Sequence, residues 1–253
     1  MLSSVGQRLK LPGAKDRGSA EPKLIVTGDI GCYTLAAYPP LNAIDTSACM
    51  GASIGQALGM EKAGISGDRV VAVIGDSTFL HSGITPLLDA VYNGSRITVI
   101  ILDNRTTAMT GHQDHPGTGI SVQGNQTRPV VLEDLVRGIG VTNVRVVDAF
   151  NLKDLRAAAR QSLESPDLSV IIVRGECAVH VPKRRSTARQ VDAGKCDQCG
   201  TCLVIGCPAI QSENGQVMID SSLCFGRACN VCQQLCPRKA IGEPEESGAV
   251  NTP

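Results

Sequence analysis

Eight of the eleven cysteines in this 253-residue chain lie close together near its carboxyl end. They form two halves that each end in Cys-Pro: Cys196-x2-Cys199-x2-Cys202-x4-Cys207-Pro208 and Cys224-x4-Cys229-x2-Cys232-x3-Cys236-Pro237. Three closely spaced thiolates can bind three corners of an iron–sulfur cubane. Disulfides are disfavoured because the first residues lack an export signal, which indicates a reducing compartment. Zinc sites typically use separated Cys-x2-Cys pairs without the triplet or the Cys-Pro ends.

This segment resembles the bacterial two-[4Fe–4S] ferredoxin family, in which the Cys before Pro ligates the other cluster. The gaps of four residues before Cys207 and before Cys229 depart from the usual spacing of that family. Two clusters need eight ligands, so all eight cysteines are assigned. The resemblance implies one cluster on Cys196, Cys199, Cys202 and Cys236, and a second on Cys224, Cys229, Cys232 and Cys207.

The two cysteine halves also repeat in their flanking residues. Val191-Asp192 precedes Cys196 with the same spacing as Ile219-Asp220 precedes Cys224, and each half ends in Cys-Pro followed by Ala-Ile. Such a unit is too small to fold on hydrophobic burial alone. We therefore expect metal ligation to supply part of its folding free energy.

A second group of polar residues follows two apolar runs in the preceding part of the chain. Gly75-Asp76-Ser77 follows Val70–Ile74, and Asp103-Asn104 follows Ile97–Leu102. Mg²⁺ takes one or two side-chain oxygens together with phosphate oxygens, and Gly75 lets the backbone approach a diphosphate. The spacing therefore predicts a metal–diphosphate site. The alternative is an ordinary strand-to-helix turn with an Asn cap.

Short apolar runs alternate with helical segments between residues 23 and 181. Five runs, rich in β-branched residues, predict buried parallel strands at 24–26, 70–74, 97–102, 144–147 and 170–173. Helices are predicted around Ser53–Lys62, Thr85–Tyr92 and Leu152–Ser162. The alternation predicts an α/β domain with a doubly wound, mostly parallel sheet and its chemistry at the carboxyl ends of the strands. A basic linker at 182–189 and an α+β ferredoxin-like domain at 190–244 follow, with tails at 1–22 and 245–253.

Composition excludes two other classes of function. The formal net charge is zero, with three Phe, three Tyr and no Trp, which disfavours nucleic-acid binding. No apolar stretch approaches the roughly 18–20 residues of a membrane helix, so we expect a cytoplasmic protein without membrane contact.

Three further segments flank the predicted metal motif: Gly28–Leu35, Asp45–Ser53 and Thr106–Gln113. Together with that motif and the cysteine module they look like the α subunit of indolepyruvate:ferredoxin oxidoreductase, from about residue 24 to 242. The resemblance implies bound thiamine diphosphate, with Mg²⁺ held by the side chains of Asp76 and Asn104 and the carbonyl of Thr106. It places Gly28, Asp29, Cys32 and Tyr33 at the thiazolium pocket, Met50, Gly51, Ala52 and Ser53 near the diphosphate, and Gly75, Ser77, Thr78, Ala108 and Met109 around the cofactor.

His112, on the loop after Asn104, is the candidate catalytic residue, and His81 follows the metal motif. Instead of a functional role, each histidine could have a structural one, as a hydrogen-bonded residue of the fold. Cys32 and Cys49 could likewise be small apolar residues that only fill space in the core.

The family activity implied is oxidative decarboxylation of a 2-oxoacid, such as the arylpyruvate indolepyruvate, to acyl-coenzyme A with ferredoxin as electron acceptor. The family's pyrimidine-binding domain has no match here, so we expect a partner chain to supply it, along with a further oxidoreductase subunit. Two alternatives stay open: a non-oxidative thiamine-dependent decarboxylase, and a non-catalytic electron-transfer subunit.

Overall fold

A computed structural model of the protein describes residues 24–64, 69–180 and 187–244. The chain divides into two compact units, Met1–His180 and Val181–Pro253. The two predicted tails and most of the predicted linker lie outside the described residues. Within the described ranges, none of the helices combines the length and apolar character needed to cross a bilayer.

The first unit is built on a six-stranded parallel sheet, which confirms the predicted fold class. The strand order is β2-β1-β3-β4-β6-β5. The strands are β1 (Leu24–Gly28), β2 (Thr46–Ser47), β3 (Arg69–Gly75), β4 (Thr98–Asp103), β5 (Asn143–Asp148) and β6 (Ser169–Arg174). The five predicted apolar runs all form strands, and the two-residue β2 at the edge is an addition.

Helices cover both faces of this sheet. They are α1 (Ala52–Lys62), α2 (Asp76–Thr78), α3 (Ile84–Tyr92), α4 (Leu132–Ile139) and α5 (Leu152–Glu164), and a π-helical turn (Phe79–Gly83) joins α2 to α3. The three predicted helices are confirmed, whereas α4 was not predicted. Ala72 and Ile74 enter one buried cluster, while Val71 and Val73 enter another on the opposite face. Burial on both faces explains why β3 is apolar without alternation.

The register of the sheet brings three strand ends to one edge. Gly28 of β1 pairs with Val73 of β3, and Gly75 of β3 pairs with Leu102 of β4. The residues that follow β1, β3 and β4 therefore emerge at the same edge, where parallel α/β sheets bind ligands.

Two small antiparallel sheets lie in the described part of the second unit. They pair β7 (Gln190–Val191) with β10 (Ile241–Gly242), and β8 (Ile210–Glu213) with β9 (Gln216–Ile219). Two 3-10 turns (Leu203–Ile205 and Gly226–Ala228) and the short helix α6 (Val231–Leu235) complete it.

The sequence repeat of the second unit is visible in its backbone hydrogen bonds. The N–H of Asp192 donates to the carbonyl of Ala240, and that of Asp220 to the carbonyl of Ala209, each at 2.8 Å. Among the described residues, its buried cluster consists of Ile210, Val217, Cys232 and Ile241, with seven half-buried apolar side chains packed against it. So small a core leaves room for a stabilising contribution from bound metal.

Candidate cofactor and cluster sites

Asp76 joins the end of β3 to the turn after β4. The residue is 2% exposed. Its Oδ1 accepts a hydrogen bond from the N–H of Ser77 at 2.7 Å, and its Oδ2 accepts one from the N–H of Arg105 at 2.9 Å. The structure therefore brings Asp76 to the turn that carries Asn104 and Thr106, as the spacing of the motif predicts. Whether these three residues bind Mg²⁺ stays a prediction.

The turn after β4 has a constrained backbone. Arg105 has a φ of +61°, the left-handed region that non-glycine residues seldom adopt. Its Nε lies 3.3 Å from Oδ1 of Asp103, and the side-chain oxygen of Asn104 accepts a hydrogen bond from the N–H of Thr106 at 3.1 Å. These contacts fix Asn104 and the buried Thr106 close to Asp76.

A charged network supports the end of β4. Arg174 donates from Nε to Oδ2 of Asp103 at 2.7 Å, and it binds Glu133 with two hydrogen bonds of 2.8 and 3.0 Å. Burial raises the pKa of Asp103 against the opposing effect of Arg174, and the hydrogen bonds from Arg174 lower the pKa of Glu133. The network ties β4, β6 and α4 together beneath the turn.

The predicted thiazolium-pocket residues lie at the end of β1. Asp29 is fully buried, and it accepts hydrogen bonds from the hydroxyl of Tyr33 and from the N–H of Gly51, the latter at 2.6 Å. Burial raises the pKa of the Asp29 carboxyl. Gly28 is also buried, whereas Cys32 is exposed.

The segment that opens α1 requires glycine at one position. Gly51 has a φ of +86°, and a Cβ there would lie 2.1 Å from Oγ of Ser82. Ala52 follows at the start of the helix, and Met50 is 49% exposed. Ser53 is fully buried, and its Oγ has no hydrogen-bond partner among the described residues. An unsatisfied buried hydroxyl fits a site that receives a polar ligand such as a diphosphate.

The remaining predicted cofactor residues lie on the loops after β3 and β4. Ser77 and Thr78 are buried at the start of α2, and Oγ of Ser77 accepts a hydrogen bond from Thr107 at 2.8 Å. Ala108 is half-buried, and Met109 is 51% exposed. The two loops are therefore hydrogen-bonded to each other at the strand ends.

His112 lies on the loop after β4, with a φ of +62°. Its ring stacks on that of His180 with a centroid distance of 4.7 Å, and its Nδ1 is buried without a hydrogen-bond partner among the described residues. A catalytic role for His112 stays a prediction. His81 contacts the carbonyl of Ser77 through Nδ1 at 2.7 Å, which favours its structural alternative.

Sequence reasoning missed His115. The residue is 5% exposed, and its Nε2 lies 3.3 Å from Oδ2 of Asp76. It lies two residues beyond Gln113, where the segment that carries the family resemblance ends. No periodicity of the sequence marks it, because the contact depends on how the long loop folds back onto β3.

The first predicted set of cluster ligands lines one cavity of the second unit. Cys196, Cys199, Cys202 and Cys236 are all among the residues that line it. Burial raises the pKa of Cys202, and charge on the other three cysteines adds to the rise. The Cys202 thiol therefore resists ionisation until a cationic group joins it.

The second predicted set is also brought together. Burial raises the pKa of Cys232 to about 11, and charge on Cys229, Cys224 and Cys207 adds to the rise. Sγ of Cys224 lies 3.4 Å from the N–H of Arg189 and 3.3 Å from that of Gly226, and both N–H groups donate to the sulfur. Hydrogen bonds to sulfur stabilise a thiolate and tune the potential of a bound cluster. Ligation of two clusters by these eight cysteines stays a prediction.

A single metal ion and an iron–sulfur cluster require different arrangements of the cysteine side chains. In the part of the chain that the structure describes, no three His, Cys, Asp or Glu side chains are close enough to hold one metal ion. Cubane thiolates bind different iron atoms, so they need not converge on one point. The cysteine sets are therefore compatible with the predicted clusters, which stay a prediction.

Comparison with known proteins identifies the class of the first unit. The family described as "Thiamine pyrophosphate enzyme, C-terminal TPP binding domain" matches residues 29–173, more than half of the chain. The chain therefore belongs to this family of enzymes that bind thiamine pyrophosphate, which is thiamine diphosphate.

Particular relatives cover most of the chain. It is 42% identical to indolepyruvate oxidoreductase subunit IorA of Methanothermobacter marburgensis over 92% of its own length and 37% of that protein. It is also 42% identical to IorA of Archaeoglobus fulgidus, over 84% of its own length and 34% of that protein. The predicted resemblance is confirmed, and the chain spans about a third of the length of these relatives.

A solved structure shares the fold of the first unit. The 2-oxoglutarate:ferredoxin oxidoreductase of Magnetococcus marinus is 17% identical, with a TM-score of 0.55. The likeness covers 61% of this chain and 54% of that one.

Proposed function

We propose that the chain is the thiamine-diphosphate-binding and electron-transfer part of a 2-oxoacid:ferredoxin oxidoreductase. The reaction converts a 2-oxoacid and coenzyme A to acyl-coenzyme A, CO₂, a proton and two electrons. The similarity to IorA proteins makes indolepyruvate the first substrate to test. Partners are a chain with the pyrimidine-binding domain, a further oxidoreductase subunit and ferredoxin.

One observation carries this proposal. The buried Asp76 carboxylate, hydrogen-bonded to the turn after β4, lies in the same chain as eight cysteines gathered into two groups. Thiamine diphosphate supplies an electron sink at the keto carbon when it is bound. Two clusters supply one-electron carriers, which a non-oxidative decarboxylase does not need. The same Asp76 geometry disfavours a purely electron-transferring subunit.

In this proposal the residues of the chain bind and orient. Asp76, Asn104 and the carbonyl of Thr106 hold Mg²⁺, which neutralises the diphosphate. Ser53 and the N–H groups after Ser77 receive phosphate oxygens. Asp29 and Tyr33 hold Gly51 and Gly75 at fixed positions beside the cofactor.

The test of this function starts with the metal. Asp76→Ala, in the chain purified with its partners, should abolish Mg²⁺-dependent thiamine diphosphate binding, because the diphosphate charge is left uncompensated. Iron content should stay unchanged. The matched control is Asp89→Ala, an exposed carboxylate on α3. Unchanged cofactor affinity in Asp76→Ala would show that the motif is only a structural turn.

Product analysis decides between oxidative and non-oxidative chemistry. The purified complex should form acyl-coenzyme A from a 2-oxoacid and reduce its clusters during turnover. An aldehyde product, with clusters that stay oxidised, would favour the decarboxylase alternative.

A further inference from the structure

His115 and Asp76 form a buried contact between the long loop after β4 and the end of β3. Their side chains are 1% and 3% exposed, and Nε2 of the imidazole lies 3.3 Å from Oδ2 of the carboxylate. The contact falls short of hydrogen-bond geometry, and Nε2 makes no hydrogen bond with any of the described residues. A carboxylate and an imidazole that share one buried space interact without screening by water.

The hydrogen bond of the other ring nitrogen indicates which nitrogen of the imidazole carries the hydrogen. Nδ1 of His115 accepts a hydrogen bond from the N–H of Gly117 at 3.1 Å. An accepting Nδ1 carries the lone pair, which leaves the hydrogen on Nε2. Nε2 is therefore a buried donor beside Oδ2 of Asp76, and a small rotation of either side chain would bring the two atoms into a hydrogen bond.

Counting the donors around Asp76 separates the roles of its two oxygens. Each oxygen accepts one backbone hydrogen bond, Oδ1 from the N–H of Ser77 and Oδ2 from the N–H of Arg105, and a carboxylate oxygen has two lone pairs. Nε2 of His115 is a further donor close to Oδ2, at 3.3 Å. Oδ1 is therefore the oxygen better placed to bind a metal ion.

Gly117 makes room for this arrangement. A Cβ at Gly117 would lie 2.9 Å from Cε1 of His115 and 3.2 Å from its Nδ1. Any larger residue would push the ring away from its position. The carbonyl of Gly117 also accepts a hydrogen bond from Nη1 of Arg105 at 3.4 Å, which joins the loop to the metal turn.

We propose that His115 is a positioning residue that orients the Asp76 carboxylate, so that Oδ1 faces the Mg²⁺ of the proposed thiamine diphosphate site. This inference rests on the proposed function. Hydrogen-bond partners of metal-ligating groups fix their orientation, and their loss typically lowers metal affinity about 10- to 100-fold.

The test measures metal affinity directly. Mn²⁺ replaces Mg²⁺ as the probe, and electron paramagnetic resonance counts free and bound ion in the presence of thiamine diphosphate. His115→Phe keeps a ring but removes the donor, so its Mn²⁺ affinity should fall about 10- to 100-fold. His115→Gln can again place an N–H near Oδ2, and it should recover part of that loss.

A second variant tests the same contact without removing the imidazole. Gly117→Ala displaces the ring and should weaken Mn²⁺ binding in the same direction. Gly138→Ala in α4 is the matched control, since a Cβ there meets nothing within 4 Å. Thermal unfolding of each variant checks the fold, and Gly117→Ala decides the question where His115→Phe does not fold.

The outcomes separate this inference from the proposed function. Wild-type protein that binds no Mn²⁺ with thiamine diphosphate overturns both. Wild-type binding with equal affinity in His115→Phe and Gly117→Ala overturns only the role of His115. Weaker binding in both variants, with partial recovery in His115→Gln, supports it.

Discussion

The hydroxyl of Tyr33 donates a hydrogen bond to Oδ1 of Asp29 and accepts one from the N–H of Gly75 at 3.1 Å. Because Asp29 also accepts from the N–H of Gly51, the pair connects the end of β1, the segment before α1 and the end of β3. All three are places where the proposed cofactor site needs a fixed backbone. Burial raises the pKa of both Tyr33 and Asp29.

We predict that Tyr33→Phe destabilises the first unit by about 1–3 kcal/mol at neutral pH, since it leaves a buried carboxylate short of one donor. Thermal unfolding measures the change. Tyr92→Phe is the matched control, because Tyr92 is 86% exposed. Equal effects of the two substitutions would contradict a special role for the Tyr33 hydroxyl.

The same variant should show a dependence on pH. The folded-state pKa of Asp29 is raised above the ordinary value of 3.8, so a stability contribution of protonated Asp29 is lost as pH rises through the raised value. Tyr33 stabilises the charged form and limits that loss. The penalty of Tyr33→Phe should therefore shrink as pH falls through the folded-state pKa, which unfolding curves at a series of pH values can check.

The strands and the metal motif were predictable from local sequence for a physical reason. A strand such as β3, buried on both faces, has to be apolar throughout, and Asp76 at its end interrupts that run. Helix α4 was missed because it is short and follows a long loop. His115 was missed because nothing local distinguishes it, and only the folding of that loop brings it to Asp76.

For the second unit, the sequence predicted the cysteine sets but not the charged residues that surround them. The resemblance to two-cluster ferredoxins implied a crossed assignment, and the structure places Cys236 in one cavity with Cys196, Cys199 and Cys202. The charged contacts around the cysteines had no such signal in the sequence. Arg189, at the end of the predicted linker, is 4% exposed and contacts Asn230 and Glu243 of the second unit.

Double substitutions can test the crossed ligation. Cys207→Ala should lower the iron content from about eight to about four per chain, because one cluster is lost. Adding Cys229→Ala should remove no more iron, since both residues bind the same cluster. Adding Cys199→Ala instead should remove nearly all of it.

The crossed assignment would be refuted if Cys207→Ala with Cys229→Ala removed nearly all of the iron, while Cys207→Ala with Cys199→Ala removed no more than Cys207→Ala alone. Cys177→Ser in the first unit is the control and should keep about eight iron atoms. Iron and acid-labile sulfide, measured on anaerobically purified protein, provide the readout.

Glu243 is expected to protect the second cluster. Hydrogen bonds from Arg227 and Arg189 lower the pKa of Glu243 to about 2. Glu243→Gln removes the anion beside the buried Arg189, whose N–H also donates to Sγ of Cys224. We predict several-fold faster cluster loss in the presence of an iron chelator, followed by visible absorbance. Glu213→Gln, an exposed residue of β8, is the matched control, and equal rates in the two variants would contradict this role.

The final prediction concerns the exposed apolar side chains beside the cofactor site. Ile30, Met50 and Met109 are 40%, 49% and 51% exposed. Ile30 follows Asp29 in the chain, and Met50 and Met109 are themselves predicted cofactor residues. Exposed apolar groups at a functional site commonly mark a surface that another protein covers. We therefore expect the 253-residue chain alone, with thiamine diphosphate, Mg²⁺, coenzyme A and a reducible dye, to oxidise no 2-oxoacid. Adding the chain that carries the pyrimidine-binding domain should restore formation of acyl-coenzyme A.

Substitution of that surface tests the reason for the dependence. Ile30→Asp should weaken the response to the added chain, because a charge at a covered apolar surface loses its hydration. Tyr92→Asp, at an exposed position on α3, should leave the response intact. Turnover is measured as acyl-coenzyme A formed at increasing concentrations of the added chain. Substrate-dependent cluster reduction by the isolated chain, free of other subunits, would show that the whole active site is built from the residues described above.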